Sequence, residues 1–436
     1  MPKGAEFFFP ISCGVALCAI ILDNEAFAPQ RQPINILHLS RLISLNQCYI
    51  LVDKDLTMTY TLWGAANSLY TGKARSYLIK KGLPFRERYP SDPEFGNRIL
   101  PAVGQFVVPV LESDNGEIIQ DSGDIIDFLE NRHAEPLLNP QTPVQQCVSL
   151  IFDVFGSEYL LPLAMHYRWS YRGEQETFLR AEFGRALVAG GDRSARREAA
   201  AKTMEFFAGF LPNLGVFPEV TGAMEDSYLA LIDALDDHFQ HHPYLLGGRP
   251  CRGDFGMMAP LFAHLGRDPV PAMLMKTRAP NLFRWTERMN SAPISDGEYP
   301  GYGEGYWGGD TVPESLVAVL KVAFADWTPG LKADADCFNA WAADKLAGDV
   351  VSQSGKPQIH PNVGKVEYPW RGVTMKRGSA PHMLWMFARV QELAANIEGE
   401  ARARLNVLLE QVGGEKAMTL SLTKRIVRNK NTLVLA

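Results

Sequence analysis

The sequence predicts an α/β domain, then an all-α helical domain, then an α-rich C-terminal extension with a terminal hairpin. Three observations carry that expectation. From Thr59 the chain reads β-α-β and then β-β-α within about 75 residues. From Thr142 to Ser291 helical periods run with almost no strand signal. A Gly- and Tyr-rich stretch, Gly301 to Asp310, is the best candidate linker, and enough chain follows it for a small further domain.

The elements follow in order. Residues 1–57 carry an uncharged run from Phe7 to Leu22, preceded by Lys3 and Glu6 and interrupted by Pro10. That run is too short and broken to span a bilayer, and no clean small-x-small cleavage site follows it. Asp23 to Thr57 shows no period, so we expect an extension of uncertain order and a functional start near Met58. Tyr60-Thr61-Leu62-Trp63 reads as a buried strand, and the segment Gly64 to Ser68 as a turn. A helix over about 72–81 puts Ala74, Tyr77 and Leu78 on one face and stops at Gly82-Leu83-Pro84. Phe85 to Tyr89 is a second strand, parallel to the first through a right-handed crossover. Phe106 to Leu111 and Glu117 to Gln120 flank Asp114-Asn115-Gly116, a hairpin signal because Asn-Gly takes up positive φ readily. Ser122 can cap a helix carrying Ile125, Ile126, Phe128 and Leu129. Helices are expected at 143–170, 193–212, 223–241, 255–266 and 279–291, and again at 316–345 and 383–412. Met418 to Ala436 reads as a hairpin turning at Asn429-Lys430-Asn431. The expected domains are therefore 58–135, 140–295 and 311–436.

Composition narrows the function. The chain has 436 residues, 46% hydrophobic and 21% charged, with a formal net charge of −6. That profile argues for a globular protein and gives no electrostatic footprint for nucleic acid. Six cysteines without a CxxC pair argue against a disulfide scaffold and the common zinc modules, and three of them (Cys13, Cys18, Cys48) lie in the first 57 residues. No metal is expected. The glycines of 301–310 make no dinucleotide fingerprint, since no strand leads into them.

Chemistry gathers in the first half. Ser68 stands on the turn between the first strand and the first helix. Val108-Pro109 falls inside a good strand, where proline removes a ladder donor and is often cis. Gln120-Asp121-Ser122 puts a carboxylate and a hydroxyl at a helix start, where free N–H groups favour an anionic guest. In this order and spacing the residues resemble the thioredoxin-like half of a glutathione transferase, of theta or zeta type, in a bacterial member with a long C-terminal extension. The segment Tyr244 to Phe255 (YLLGGRPCRGDF) resembles that family's all-helical domain signature, with Cys251 where a hydroxyl residue usually caps the helix, so the cap is expected to be weaker. The resemblance covers about residues 59–291.

The resemblance implies glutathione as co-substrate and a small-molecule electrophile as partner. It implies Ser68 donating to the sulfur, Val108 and Pro109 bonding the cysteinyl part, and Asp121 and Ser122 holding the γ-glutamyl end. Leu69, Tyr70 and Thr71 replace the serine-rich run usual in zeta-type members, so Asn67 and Tyr70 compete with Ser68. It implies a cytoplasmic detoxification enzyme acting by conjugation, isomerisation, ether cleavage or dehalogenation, with a homodimer left open and no membrane or nucleic-acid partner. The rival reading is a non-catalytic binding or scaffold protein, which predicts a blocked groove or a missing Asp121-Ser122 pair. Elsewhere the plainer readings stand. His166, Tyr167, Trp169 and Tyr171 form an aromatic stripe more often found in cores, His238, His241 and His242 lack a ligand set, and Lys424, Arg425, Arg428 and Lys430 read as a solvated hairpin face. Cys147 and Cys251 read as small core residues.

Overall fold

Four β-forming residues open the fold. β1 (Tyr60–Trp63) is buried along its whole length and sits inside a four-stranded sheet of order β2-β1-β3-β4. In this computed structural model residues 59–436 are described, apart from Ile359; the expected extension and the start at Met58 lie outside the described residues. β1 pairs in parallel with β2 (Phe85–Arg88) and antiparallel with β3 (Val110–Glu112), which pairs antiparallel with β4 (Ile118–Gln120). The fold is thioredoxin-like. The strand expected from Phe106 starts only at Val110, because Pro109 has no N–H to give to a ladder.

The crossover helix α1 (Leu69–Lys80) begins at Ser68, whose Oγ accepts the Thr71 N–H, and ends before Gly82 at φ 68°. It starts three residues earlier than its apolar period suggests. Ala74, Tyr77 and Leu78 are fully buried, as expected, but so are Lys73 and Lys80. Lys73 meets Asp153, and Lys80 Nζ donates to the Tyr244 hydroxyl (2.8 Å) and the Pro293 carbonyl (2.6 Å). Burial, then the nearby Arg288, lowers the Lys80 pKa to about 7. The unfolded chain therefore holds one more proton than the folded chain between about pH 7 and 10.5, so this lysine makes stability rise with pH there. Urea unfolding at pH 7.5 and 9.5 should show that rise, and Lys80→Met should lose it; an equal rise in the variant would refute the assignment.

α2 (Ser122–Arg132) completes the α/β half, and the helical half comprises α3 (Pro143–Val154), α4 (Leu161–Ser170), α5 (Arg172–Leu187), α6 (Arg193–Ala208), α7 (Pro218–His241), α8 (Arg252–Ala263), α9 (Pro269–Arg278) and α10 (Pro280–Met289). The helix expected over 143–170 is interrupted by a wider π turn, Phe155–Tyr159. Gly156 lies there against Gly256 of α8, and a Cβ on Gly156 would come 2.5 Å from that backbone. Among the described residues, Pro143–Ser170 is the run long and apolar enough to cross a membrane, yet 72% of its most apolar window is buried inside the protein. α8 is capped by Cys251 and by Asp254, which accepts the Cys251 N–H at 2.9 Å, the Leu245 N–H and the Trp285 indole N–H. The strong half of the capping box is thus the Asp254 carboxylate on the Cys251 N–H, in line with the weaker cap expected from a thiol.

The Gly- and Tyr-rich segment is bonded to this body. Gly248 N donates to Gly305 O, Trp307 N to Leu246 O, and the Asp310 carboxylate accepts the Val144 and Gln145 N–H groups at the start of α3. Beyond it come α11 (Glu314–Ala342), the hairpin β5 (Lys365–Trp370) and β6 (Val373–Gly378), α12 (Pro381–Ala395), α13 (Gly399–Val412), and the terminal hairpin β7 (Ile426–Asn429) and β8 (Thr432–Leu435). The helix expected over 383–412 is two helices, with Gly399 at φ 59° opening the second. One apolar core runs from Tyr60 through Trp285 and Trp327 to Leu435. Each large apolar side chain in it contributes roughly 1.5–3 kcal/mol.

Candidate functional site

Strand register decides what meets at one end of the sheet. Trp63 faces Val110, and Val110 faces Gln120, so the three form one row across β1, β3 and β4. Residues 64–68 leave the sheet just past that row, Pro109 enters it, and Asp121 and Ser122 leave it. In the sequence Pro109 lies 41 positions after Ser68 and Asp121 a further 12 positions on, and the fold brings them to one end of the sheet. The Val108–Pro109 peptide is cis.

The turn that carries Ser68 is tightly held. Gly64 N donates to Arg88 O at 2.9 Å and Ser68 N to Ala65 O at 3.0 Å. A Cβ on Gly64 would lie 2.3 Å from Thr71 Cγ2, so the turn needs glycine there. From the helical half, Arg168 Nη1 donates to the Asn67 carbonyl at 2.9 Å while its other donors engage the buried Asp268. Ser68 Oγ accepts the Thr71 N–H, which uses a lone pair and leaves the hydroxyl proton to donate. Tyr70 is committed elsewhere: its hydroxyl donates to Ser157 O at 3.2 Å. Burial first, and then the negative charges of Glu158 and Asp121, push its phenol well above the usual value.

Asp121 caps α2 from a positive φ of 85°, with Oδ1 accepting the Gly123 N–H at 2.7 Å. A non-glycine residue in that region costs about 1–3 kcal/mol and persists where the surroundings demand it. Ser122 follows it and is buried. Burial opposes ionisation of Asp121, but Arg428, His382, Lys73 and the Gly123 N–H outweigh it and hold the carboxyl below its ordinary range.

Arg428 is the residue that sequence reasoning missed. Read as part of a solvated hairpin face, it instead bonds Asp121 Oδ2 through Nη1 at 3.1 Å and Asp124 through Nη2, with its side chain 13% exposed. The correction has a simple cause: Arg428 stands 304 positions after Asp124 in the sequence, and no local pattern carries such a contact.

A cavity of about 110 Å³ lies between the helical half and the extension, lined by Tyr159, Met224, Trp370, Met375 and Met383 with Glu158 and His382 at its polar side. His382 Nδ1 lies 3.0 Å from Glu158. Burial disfavours the imidazolium, yet Glu158 and then Asp121 raise its pKa. The aromatic stripe is core: His166, Tyr167 and Trp169 are buried, and His166 bonds Glu225. His238 pairs with Ser315 and His242 with Tyr302. Cys147 and Cys251 are fully buried, and burial pushes the Cys147 thiol up to about 12.

Residues 62–137 match the family model of the glutathione S-transferase N-terminal domain. No curated protein matches the chain. Among solved structures, one similar chain is a glutathione S-transferase from Methylobacterium radiotolerans in complex with glutathione sulfonate, at 21% identity, 58% of this chain, 99% of that chain and TM-score 0.33. Another is the beta-etherase LigF from a Sphingobium strain, at 19% identity, 54% and 96% coverage and TM-score 0.37. A third is a glutaredoxin 2 from Salmonella typhimurium in complex with glutathione, at 16% identity, 54% and 96% coverage and TM-score 0.32.

Proposed function

We propose that this chain is a glutathione-dependent transferase that activates the thiolate for attack on a small-molecule electrophile. The observation that carries the reading is the convergence of Ser68, Pro109 and Asp121-Ser122 at one sheet edge, within the segment that matches the transferase domain. Each residue has a task its chemistry suits. The Ser68 hydroxyl donates to the sulfur, and the backbone at Val108–Pro109 pairs with the cysteinyl peptide. Asp121 pairs with the γ-glutamyl ammonium, and Ser122 with the helix start receives its carboxylate. The thiol of free glutathione, near pKa ~8.5, is only a few per cent ionised at neutral pH. Lowering that value by about two units takes roughly 2.7 kcal/mol, within reach of one hydrogen bond to a charged acceptor plus a helix terminus. The electrophile then occupies the cavity beside Glu158 and His382.

Glutathione titration by calorimetry tests this reading. Asp121→Ala and Ser122→Ala should each raise the glutathione Kd several-fold. Affinity unchanged in both would remove these residues from the site. A second reading, a scaffold with a closed groove, is favoured by one observation: Arg428 already bonds Asp121. It predicts that the wild-type chain takes up no glutathione at all.

A further inference from the structure

The terminal hairpin touches both flanks of the site. Arg428 bonds Asp121 and Asp124 on one side, and Asn431 Nδ2 donates to Val103 O at 2.7 Å on the other. Val103 precedes the loop that runs to Pro109. The guanidinium lies 5.3 Å from the centroid of the Trp385 ring, so it is steered from the extension as well.

A guanidinium has five N–H donors, and a carboxylate offers about four acceptor positions. Arg428 donates Nη2 to Asp124 and is ion-paired through Nη1 with Asp121, while Asp121 accepts the N–H of Gly123. These bonds leave further donors on Arg428 and further lone pairs on Asp121, side by side. The chemical complement of an adjacent acid and guanidinium is an α-amino acid zwitterion, with its ammonium on the carboxylate and its carboxylate on the guanidinium.

We propose that Arg428 is a binding residue for the γ-glutamyl end of glutathione and shares its α-carboxylate with Ser122 and the start of α2, while Asp121 receives its ammonium. The inference rests on the glutathione reading above. It gives the C-terminal extension a task in substrate specificity, favouring a γ-glutamyl peptide over thiols without a zwitterionic end. No bond to the ligand is covalent, and Arg428 keeps its contact with Asp124.

The test uses the full chain, three peptides and calorimetry. The peptides are glutathione, γ-aminobutyryl-cysteinyl-glycine, which lacks only the α-carboxylate, and glutaryl-cysteinyl-glycine, which lacks only the α-amino group. Arg428→Ala should raise the Kd for glutathione and for the glutaryl peptide about tenfold or more, and leave that for the γ-aminobutyryl peptide unchanged. Arg428→Lys, which keeps the charge and the packing stem, should recover part of the glutathione loss. An equal loss for glutathione and the γ-aminobutyryl peptide would mean a merely structural arginine and overturn the inference. Unchanged or tighter glutathione binding in Arg428→Ala would overturn it too, the tighter result meaning that the guanidinium obstructs the site. In either case glutathione binding by the wild type leaves the transferase reading standing. No binding of any peptide by wild type or variant would overturn both.

Discussion

Alanine in place of Asp153 is expected to destabilise the fold by about 3–5 kcal/mol, the usual cost of stranding a buried charge. The carboxylate is fully buried at the end of α3, with Oδ1 on Lys73 of α1 and Oδ2 accepting the Arg252 Nε–H of α8 at 2.7 Å. Lys73 is 1% exposed, and removing the shared partner leaves it the Ser157 hydroxyl at 3.1 Å in place of a counter-charge, while Arg252 keeps its ion pair with Asp127. The site cannot relax easily, since Gly256 of α8 packs so close that a Cβ there would lie 2.4 Å from Asp153 Cα. Burial opposes its ionisation, but Lys73 and Arg252 outweigh that and hold its carboxyl below the ordinary range. Its contribution is therefore full above the unfolded carboxyl pKa, ~3.9, and is lost as pH falls through the lower folded value. Urea unfolding should show a lower midpoint at unchanged slope in Asp153→Ala, with the gap from wild type narrowing on acidification. A loss under about 1 kcal/mol at pH 7 would show that the triad does not hold the two halves together.

The same lysine shows where sequence reading stops. Ala74, Tyr77 and Leu78 mark the inner face of α1 by their period, and that face is buried. Lys73 and Lys80 are buried too, because they flank Tyr77 on the side of the helix that packs on the helical half, where they meet Asp153 and Tyr244. A charged residue in a local window reads as solvent-facing, since the acid that receives it lies 80 residues away. The hairpin β5–β6 escaped notice for a different reason. Lys365 to Trp370 alternates exposed and buried, as a strand should, but Pro369 inside it argues against pairing; a two-stranded sheet accepts proline because each strand is an edge. α5 and α9 were also missed, while Asp114-Asn115-Gly116 gave the β3–β4 hairpin correctly because its signal is the local backbone itself.

The candidate site divides along the same line. Ser68, Pro109, Asp121 and Ser122 were legible because each sits at an element boundary, where residue type and backbone geometry are tied together. Their meeting depends only on strand order and register, which the β-α-β and β-β-α pattern implies. Arg428 has no such tie. It lies mid-strand in a hairpin that would be read alike anywhere in the chain, and only the packing of the extension brings it to Asp121.

Ser68→Ala should then have the largest effect on chemistry. If its hydroxyl donates to the bound thiolate, removing it forfeits roughly 1.5–3 kcal/mol of thiolate stabilisation, which is about one to two pKa units. Bound glutathione should titrate that much higher, and turnover at pH 7 should fall about three- to twenty-five-fold as the ionised fraction shrinks from that of a thiol near pKa ~6.5. Glutathione affinity should fall only about three- to fourfold at pH 7 and hardly move at pH 5, where the bound thiol is neutral and gains little from the bond. The rate deficit should close as pH rises past the variant's thiol pKa, because the thiolate then forms without help. A separate cost of about 1 kcal/mol in stability is expected, as Ser68 Oγ also caps α1 through the Thr71 N–H. Ser68→Gly removes the hydroxyl at a cost of only a few tenths of a kcal/mol to the cap, and so separates the two effects. Tyr70→Phe should be silent in the same titration, its hydroxyl being spent on the Ser157 carbonyl. Thiolate absorbance against pH reads all three variants directly. An unshifted curve in Ser68→Ala would end the assignment, and silence in Asn67→Ala as well would turn the case toward the scaffold reading.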